Sequence, residues 1–191
     1  MARSACAGRA RFRRLGAADR AARLAHLARL GAEGRRARFR GSALAADPPE
    51  PALALGCWID GRLRGLAELY PLPADGRWAE LAASVEPEFQ GQGLGRALLA
   101  RLLILARNRG IRRLLAFCGE TDGRPRLLLR RAGARLCIER GEARAELDLL
   151  PASPATLLLE ALDAWEELTL RLLDSPCALA AGPQEASGAG A

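Results

Sequence analysis

Ser84-Val85-Glu86-Pro87-Glu88-Phe89-Gln90-Gly91-Gln92-Gly93-Leu94-Gly95-Arg96 joins two kinds of pattern. The residues before it read as strands, and from Leu94 to about Asn108 the apolar residues recur with helical period. Glycines stand at alternate positions 91, 93 and 95 of the junction. A strand that ends in a glycine-rich turn opening a helix leaves backbone N–H groups unpaired and aimed one way. At the positive end of a helix such a nest binds phosphate.

Working outward, Leu94, Leu98, Leu102 and Leu105/Ala106 form one apolar stripe, widened by Leu99 and Leu103, with Arg101 and Arg107 off it. Ile111 to Cys118 is apolar enough for a buried strand parallel to the one before the helix, which makes a strand–helix–strand unit. Upstream, Leu53 to Ile59 and Arg64 to Tyr70 flank Asp60-Gly61, a strong hairpin signal. Trp78 to Val85 follows the turn marked by Pro71, Pro73 and Asp75-Gly76. Ala10 to Leu15 is a first strand, Ala21 to Leu30 a helix behind Asp19, and Arg35 to Arg40 a second short helix. Downstream, Arg124 to Ala132 is a helix ended by Gly133, and Ala134 to Arg140 with Ala143 to Leu149 form a final hairpin.

Ser153-Pro154 caps and starts a last helix to about Leu173. Leu158, Leu162, Trp165, Leu168 and Leu172 line one face of it. That face is expected to cover the domain, with a homodimer or partner contact as the other reading. The chain thus divides into a flexible leader (1–10), one domain (11–150), an accessory helix (151–173) and an Ala/Gly/Pro/Ser-rich tail expected to be disordered (174–191). The fold class is α/β (α+β): a mixed, mostly antiparallel sheet flanked by helices, with an extra C-terminal helix.

Composition narrows the chemistry. The 191 residues suit one domain with extras, and 50% are hydrophobic, enough for a core. No run is long enough for a membrane span, and the basic N-terminus lacks the apolar segment of a secretory signal, so a cytoplasmic protein is expected. The five cysteines form no CxxC pair and there is one histidine, which argues against a metal site. The net charge is +7 with no lysine in the chain. That all-arginine set, beside the abundant Ala, Gly and Leu, reads as coding bias in a GC-rich genome or as a field for an anionic ligand. Aromatics are only 4%, and no basic stretch alternates with stacking residues, so nucleic acid is a poor candidate partner.

Two phosphate motifs fail. A dinucleotide fingerprint needs a glycine where Arg96 stands, and a P-loop needs a lysine. A third pattern fits. Val85-x-Pro87-x-x-Gln90-Gly91-x-Gly93-Leu94-Gly95-x-x-Leu98-Leu99 resembles the acyl-CoA-binding motif of the GNAT N-acetyltransferase superfamily, whose Q/R-x-x-G-x-G/A signature is supplied by Gln90, Gly93 and Gly95. Element order over residues 11–150 also matches. Arg14-Leu15 with Asp19-Arg20, and Arg35 to Phe39, are similar to the bacterial protein-acetyltransferase-like branch.

The resemblance implies a role for each matching residue. Val85 would bond the pantetheine arm through its backbone, in a gap opened by a β-bulge of its strand. Backbone N–H groups from Gln92 through Gly93, Leu94 and Gly95 to Arg96 would hold the pyrophosphate of acetyl-CoA, with Gln90 and Gly91 completing the turn. Glu80, in Ala79-Glu80-Leu81-Ala82, is the expected general base, its pKa raised by partial burial. Glu68 is the runner-up and Glu86 a weaker candidate. The tyrosine that often protonates the leaving thiolate is absent, and Asp122 and Pro125 stand where many relatives carry Asn and Met. Asp122 can still accept a hydrogen bond from the pantetheine. The implied activity is acetyl transfer to a primary amine, either a protein lysine or a small molecule, by direct attack and with no metal. The alternative is an acyl-CoA-binding sensor with little turnover.

Overall fold

The computed structural model describes residues 10–31, 50–72, 76–119, 123–139 and 142–174. In chain order the elements are β1 (Arg11–Arg14), α1 (Arg20–Arg29), β2 (Leu53–Ile59), β3 (Arg62–Pro71) and β4 (Trp78–Val85). Then come α2 (Leu94–Asn108), β5 (Arg113–Gly119), α3 (Gly123–Arg131), β6 (Arg135–Glu139), β7 (Glu142–Asp148) and α4 (Pro154–Asp174). The short helix expected at 35–40 lies outside the described residues, as do residues 1–9 of the leader and 175–191 of the tail. The seven strands form one sheet in the order β1-β2-β3-β4-β5-β7-β6. Every neighbouring pair is antiparallel except β4 with β5, which the α2 crossover makes parallel. Asp60 and Gly61, both at positive φ (50° and 71°), make the tight β2–β3 turn.

Alternation along the strands sorts side chains between two faces. One face carries Ala67, Leu69, Ala79, Leu81, Leu114 and Ala116, packed under the α2 stripe of Leu94, Leu98, Leu102 and Leu105. On the other, Leu63 and Leu66 meet Leu27 and Leu30 from α1 and the residue after it.

The α1 face also holds polar anchors. Glu68 is completely buried; Arg23 on α1 donates to it through Nε, and the Tyr70 hydroxyl donates to its Oε2 at 3.1 Å. Glu86, just past β4, accepts from Arg64 (2.7 Å) and Arg29 (2.8 Å) and lies 3.2 Å from Nδ1 of fully buried His26. The other imidazole nitrogen is 3.0 Å from Ser84 Oγ. Burial alone would raise the Glu86 carboxyl, but the hydrogen bonds from Arg64 and Arg29 hold it below its ordinary value. Serine, histidine and glutamate are connected here in the order of a nucleophile, its base and an orienting carboxylate. With two guanidiniums on Glu86 and no exposure at His26, the chain serves to fasten α1 to the strand that enters the glycine turn.

Helix α4 corrects an expectation. Its Ser153 cap forms as read, accepting from Thr156 N–H at 3.3 Å. The face that meets the domain, however, is the polar one. Glu160 pairs with Arg14 on β1 and with Arg109 (2.9 Å), and accepts from Asn108 at 2.6 Å. Asp163 lies 3.6 Å from Arg101. Leu158, Leu162, Trp165 and Leu168 are exposed instead. The ends of α2 and β1 offer guanidinium and amide donors, so the carboxylates dock there and the leucines do not.

Two outcomes follow. Replacing Glu86 by Ala removes the carboxylate that Arg29 and Arg64 face. It should lower unfolding free energy by about 3 kcal/mol, the low end for breaking a buried ion pair because Arg29 and Arg64 keep some access to water; a urea titration measures it. The hydrogen bond from Arg109 depresses the Glu160 carboxyl below its ordinary 4.5. Its stabilisation is therefore full above that value and lost as pH falls through the folded pKa. The difference in Tm between wild type and Glu160→Gln should be constant at neutral pH and shrink below about 4.5.

Candidate active site

The site begins at the turn between β4 and α2. A 3₁₀ turn, Pro87–Phe89, leads into Gly91 and Gly93, which take φ of 75° and 85°. Side chains strain this left-handed region, so the path requires glycine. A Cβ at either position meets no protein atom within 4 Å, so it would project into open space beside the turn. Gly95 differs: a Cβ there would lie 3.7 Å from Leu128 and 3.9 Å from Val85, which the protein itself tolerates.

Gly93 is the N-cap of α2, and no side chain caps that end. The first turn carries no acidic residue. The first bond across it runs from Ala97 N to Gly93 O at 3.0 Å, so the N–H groups of Leu94, Gly95 and Arg96 have no acceptor within the helix. Two glutamines brace the turn. Gln90 donates to Val85 O and Gln92 to Glu88 O, both at 3.0 Å, and Arg124 on α3 reaches Gln90 Oε1 at 3.4 Å. Arg96 is exposed beside them. These features suit a diphosphate: donors, a positive helix end, open space, and no acidic residue in the first turn of the helix.

Next to the turn the sheet opens. β4 pairs with β5 only over Trp78 to Leu81 against Arg113 to Ala116, although the strands continue to Val85 and Gly119. Glu86 N donates to Arg64 O, so the even-numbered residues of β4 turn their amides to β3. Ala83 and Val85 therefore turn theirs toward the opening. The β-bulge expected in β4 is not there: its register against β3 runs unbroken from Val85↔Gly65 to Ala79↔Pro71. The irregularity lies in the β2–β3 pairing, between Cys57 and Trp58. The opening arises because β4 stays paired to β3, and β5 to β7 as far as Gly119↔Glu142. Each strand follows its outer neighbour, and strand twist carries the two apart.

The three candidate carboxylates separate clearly. Glu80 is half-buried on β4, one residue before the last β4–β5 pair, with Tyr70 and Leu115 as its register partners. Among the described residues its carboxylate has no hydrogen-bond or ion-pair partner. Glu68 and Glu86 are enclosed in the ion pairs that hold α1. Asp122 lies outside the described residues. Cys118 packs in the core with its thiol 3.6 Å from Ala143 O. Among the described residues no three His, Cys, Asp or Glu side chains gather as a metal site, and no helix is long and apolar enough to cross a membrane.

Sequence reading missed the Ser84–His26–Glu86 chain. A signal existed: Ser84 near the end of β4 and Glu86 just past it are two apart in extended chain and so share a face. Nothing local, however, points to His26 as their partner.

Comparison with known proteins agrees with this geometry. The acetyltransferase (GNAT) family model matches residues 19–133. No curated protein matches the chain. The GNAT domain of S. lividans PAT is 25% identical with a TM-score of 0.65, covering 73% of this chain and 90% of that one. The ribosomal-protein-S18-alanine N-acetyltransferase from Escherichia coli is 21% identical with a TM-score of 0.57, covering 76% and 97%. A putative acetyltransferase, yncA from Salmonella typhimurium, whose structure includes its cofactor acetyl-CoA, is 21% identical with a TM-score of 0.57, covering 75% and 96%. With a capless glycine-opened helix beside a parted strand pair, and the family model spanning both, the chain belongs to the GNAT family of acetyltransferases.

Proposed function

We propose that the protein transfers an acetyl group from acetyl-CoA to a primary amine, with the amine attacking directly. The observation that carries this reading is the placement of Glu80. It is a carboxylate without a partner among the described residues, held on a strand at the point where β4 and β5 part. When bound, acetyl-CoA supplies the activated acyl thioester. The chain's own contributions are the N–H groups from Gln92 to Arg96 for the diphosphate, with exposed Arg96 adding charge, and the amide edge of Ala83 and Val85 for an extended arm laid in as an extra strand. Backbone N–H groups on that edge also polarise a carbonyl without reorganising.

Glu80 takes the proton that an ammonium must lose before it attacks. Tyr70, the sole tyrosine, already donates to Glu68 and accepts from Arg23 at 3.2 Å. Its hydroxyl is thereby tied to the anchor of α1 rather than offered as an acid. The acceptor is a protein lysine or a small amine. The N-terminal residues similar to the bacterial protein-acetyltransferase-like branch, Arg14-Leu15 with Asp19-Arg20, favour the protein.

Saturating acetyl-CoA, about a hundredfold above its Kd, should raise Tm by roughly 5–10 °C in a chain of this size. Gly93→Glu should lose that rise, because its side chain occupies the open space beside the turn, strains a left-handed backbone position and brings a negative charge; equal shifts in the two proteins would refute the assigned nest. Glu80→Gln should keep the thermal shift yet slow CoA release about 10²- to 10⁴-fold with a productive amine. Acetyl-CoA binding without CoA release across a panel of amines and lysine peptides would instead support the acyl-CoA sensor.

A further inference from the structure

Helix α4 turns its apolar side to solvent. Leu157, Leu158, Leu159, Leu162, Trp165 and Leu168 are 47% to 69% exposed, while the narrow stripe of Thr156, Glu160, Asp163 and Glu167 meets the domain. Leu158, Leu162 and Trp165 stand opposite the docked stripe, with the other three leucines beside them. Together these six side chains expose on the order of 600 Å² of apolar surface, at the upper end of what a soluble monomer leaves in one patch. That is close to the ~800 Å² per partner of a standard interface.

We propose that this face is the contact between two copies of the chain, packed α4 against α4 in antiparallel order. The rest of the same chain has little to cover it with. In the segments outside the described residues the large apolar side chains are only Met1, Phe39, Leu44 and Leu179. An anionic membrane is a poor occupant. Such surfaces bind helices whose apolar side is flanked by basic residues, whereas the exposed charge beside Leu159 and Leu162 on α4 is the acidic Glu166. A second copy fits by sequence symmetry. Antiparallel packing centred between residues 163 and 164 sets Leu162 on the partner's Trp165 and brings Leu158 to within one residue of the partner's Leu168. It also opposes the two helix dipoles and leaves the acidic stripes on the outer sides, each neutralised by its own domain through Arg14, Arg101 and Arg109.

Sedimentation velocity of the full chain between about 1 and 100 μM tests this, with the double variant Leu158→Glu/Leu162→Glu beside wild type. Wild type should sediment at twice 20.4 kDa, and the double variant at 20.4 kDa with an unchanged circular dichroism spectrum. The milder Leu162→Ala, which keeps the helix intact, should raise the dimer Kd about tenfold. A wild type that stays monomeric at 100 μM overturns the proposal. So does a dimer that both variants leave untouched, or a monomeric wild type that pellets with vesicles of phosphatidylcholine and phosphatidylglycerol.

Discussion

A strand has two hydrogen-bonding edges, and β4 satisfies them unequally. Its β3 edge is paired from Ala79 to Val85, while its β5 edge is paired only from Trp78 to Leu81. Backbone amides near a core are costly to leave without partners, so an edge left open beside the core is a place for a ligand that brings its own donors and acceptors. The glycine turn repeats that condition one step along the chain. There the first N–H groups of α2 lack acceptors because no side chain caps Gly93. Open edge and open helix end are consecutive, so one elongated ligand with an amide arm and an anionic head satisfies both.

Such an opening must be held in shape by what surrounds it. The α1 face supplies this with charge rather than with more leucine. Glu68 with Arg23, and Glu86 with Arg29, Arg64 and His26, fix α1 to β3 and to the end of β4. Buried ion pairs add little net stability, but their directionality sets position, and a site needs its strands held to within a fraction of an ångström. The two carboxylates that sequence reading offered as alternative bases are spent on this support, and Glu80 is left outside it.

What was legible in the sequence was local. The bounds of β2, β4 and α2 agree with periods of 2 and 3.6, because each pattern repeats within its own element. The glycine turn was legible because positive φ selects a residue type. The other strands, and the ends of the other helices, shifted by one or two residues. What stayed hidden depends on contacts distant in sequence. His26 meets Ser84 and Glu86 across 58 and 60 residues, and Glu160 meets Arg14 across 146. The α4 stripe was read correctly as amphipathic and wrongly as inward-facing. Amphipathicity states that two faces differ; which one docks depends on the donors that Arg14, Asn108 and Arg109 present.

Helix α2 links these parts along one axis. Its N-terminus forms the nest, and its C-terminus carries Arg107, Asn108 and Arg109, which hold the segment leading into α4 and α4 itself. Fifteen residues at 1.5 Å each separate the two ends by about 22 Å. Cationic side chains at the C-terminal end complement the helix dipole there, and an anion at the N-terminal end does the same at the other. The rod between is sealed by Leu98, Leu102 and Leu105 against the sheet, so the two ends are fixed relative to one another without sharing a surface. A partner seated on α4 therefore leaves the glycine turn open, and an anion at the turn leaves the apolar face of α4 as exposed as before.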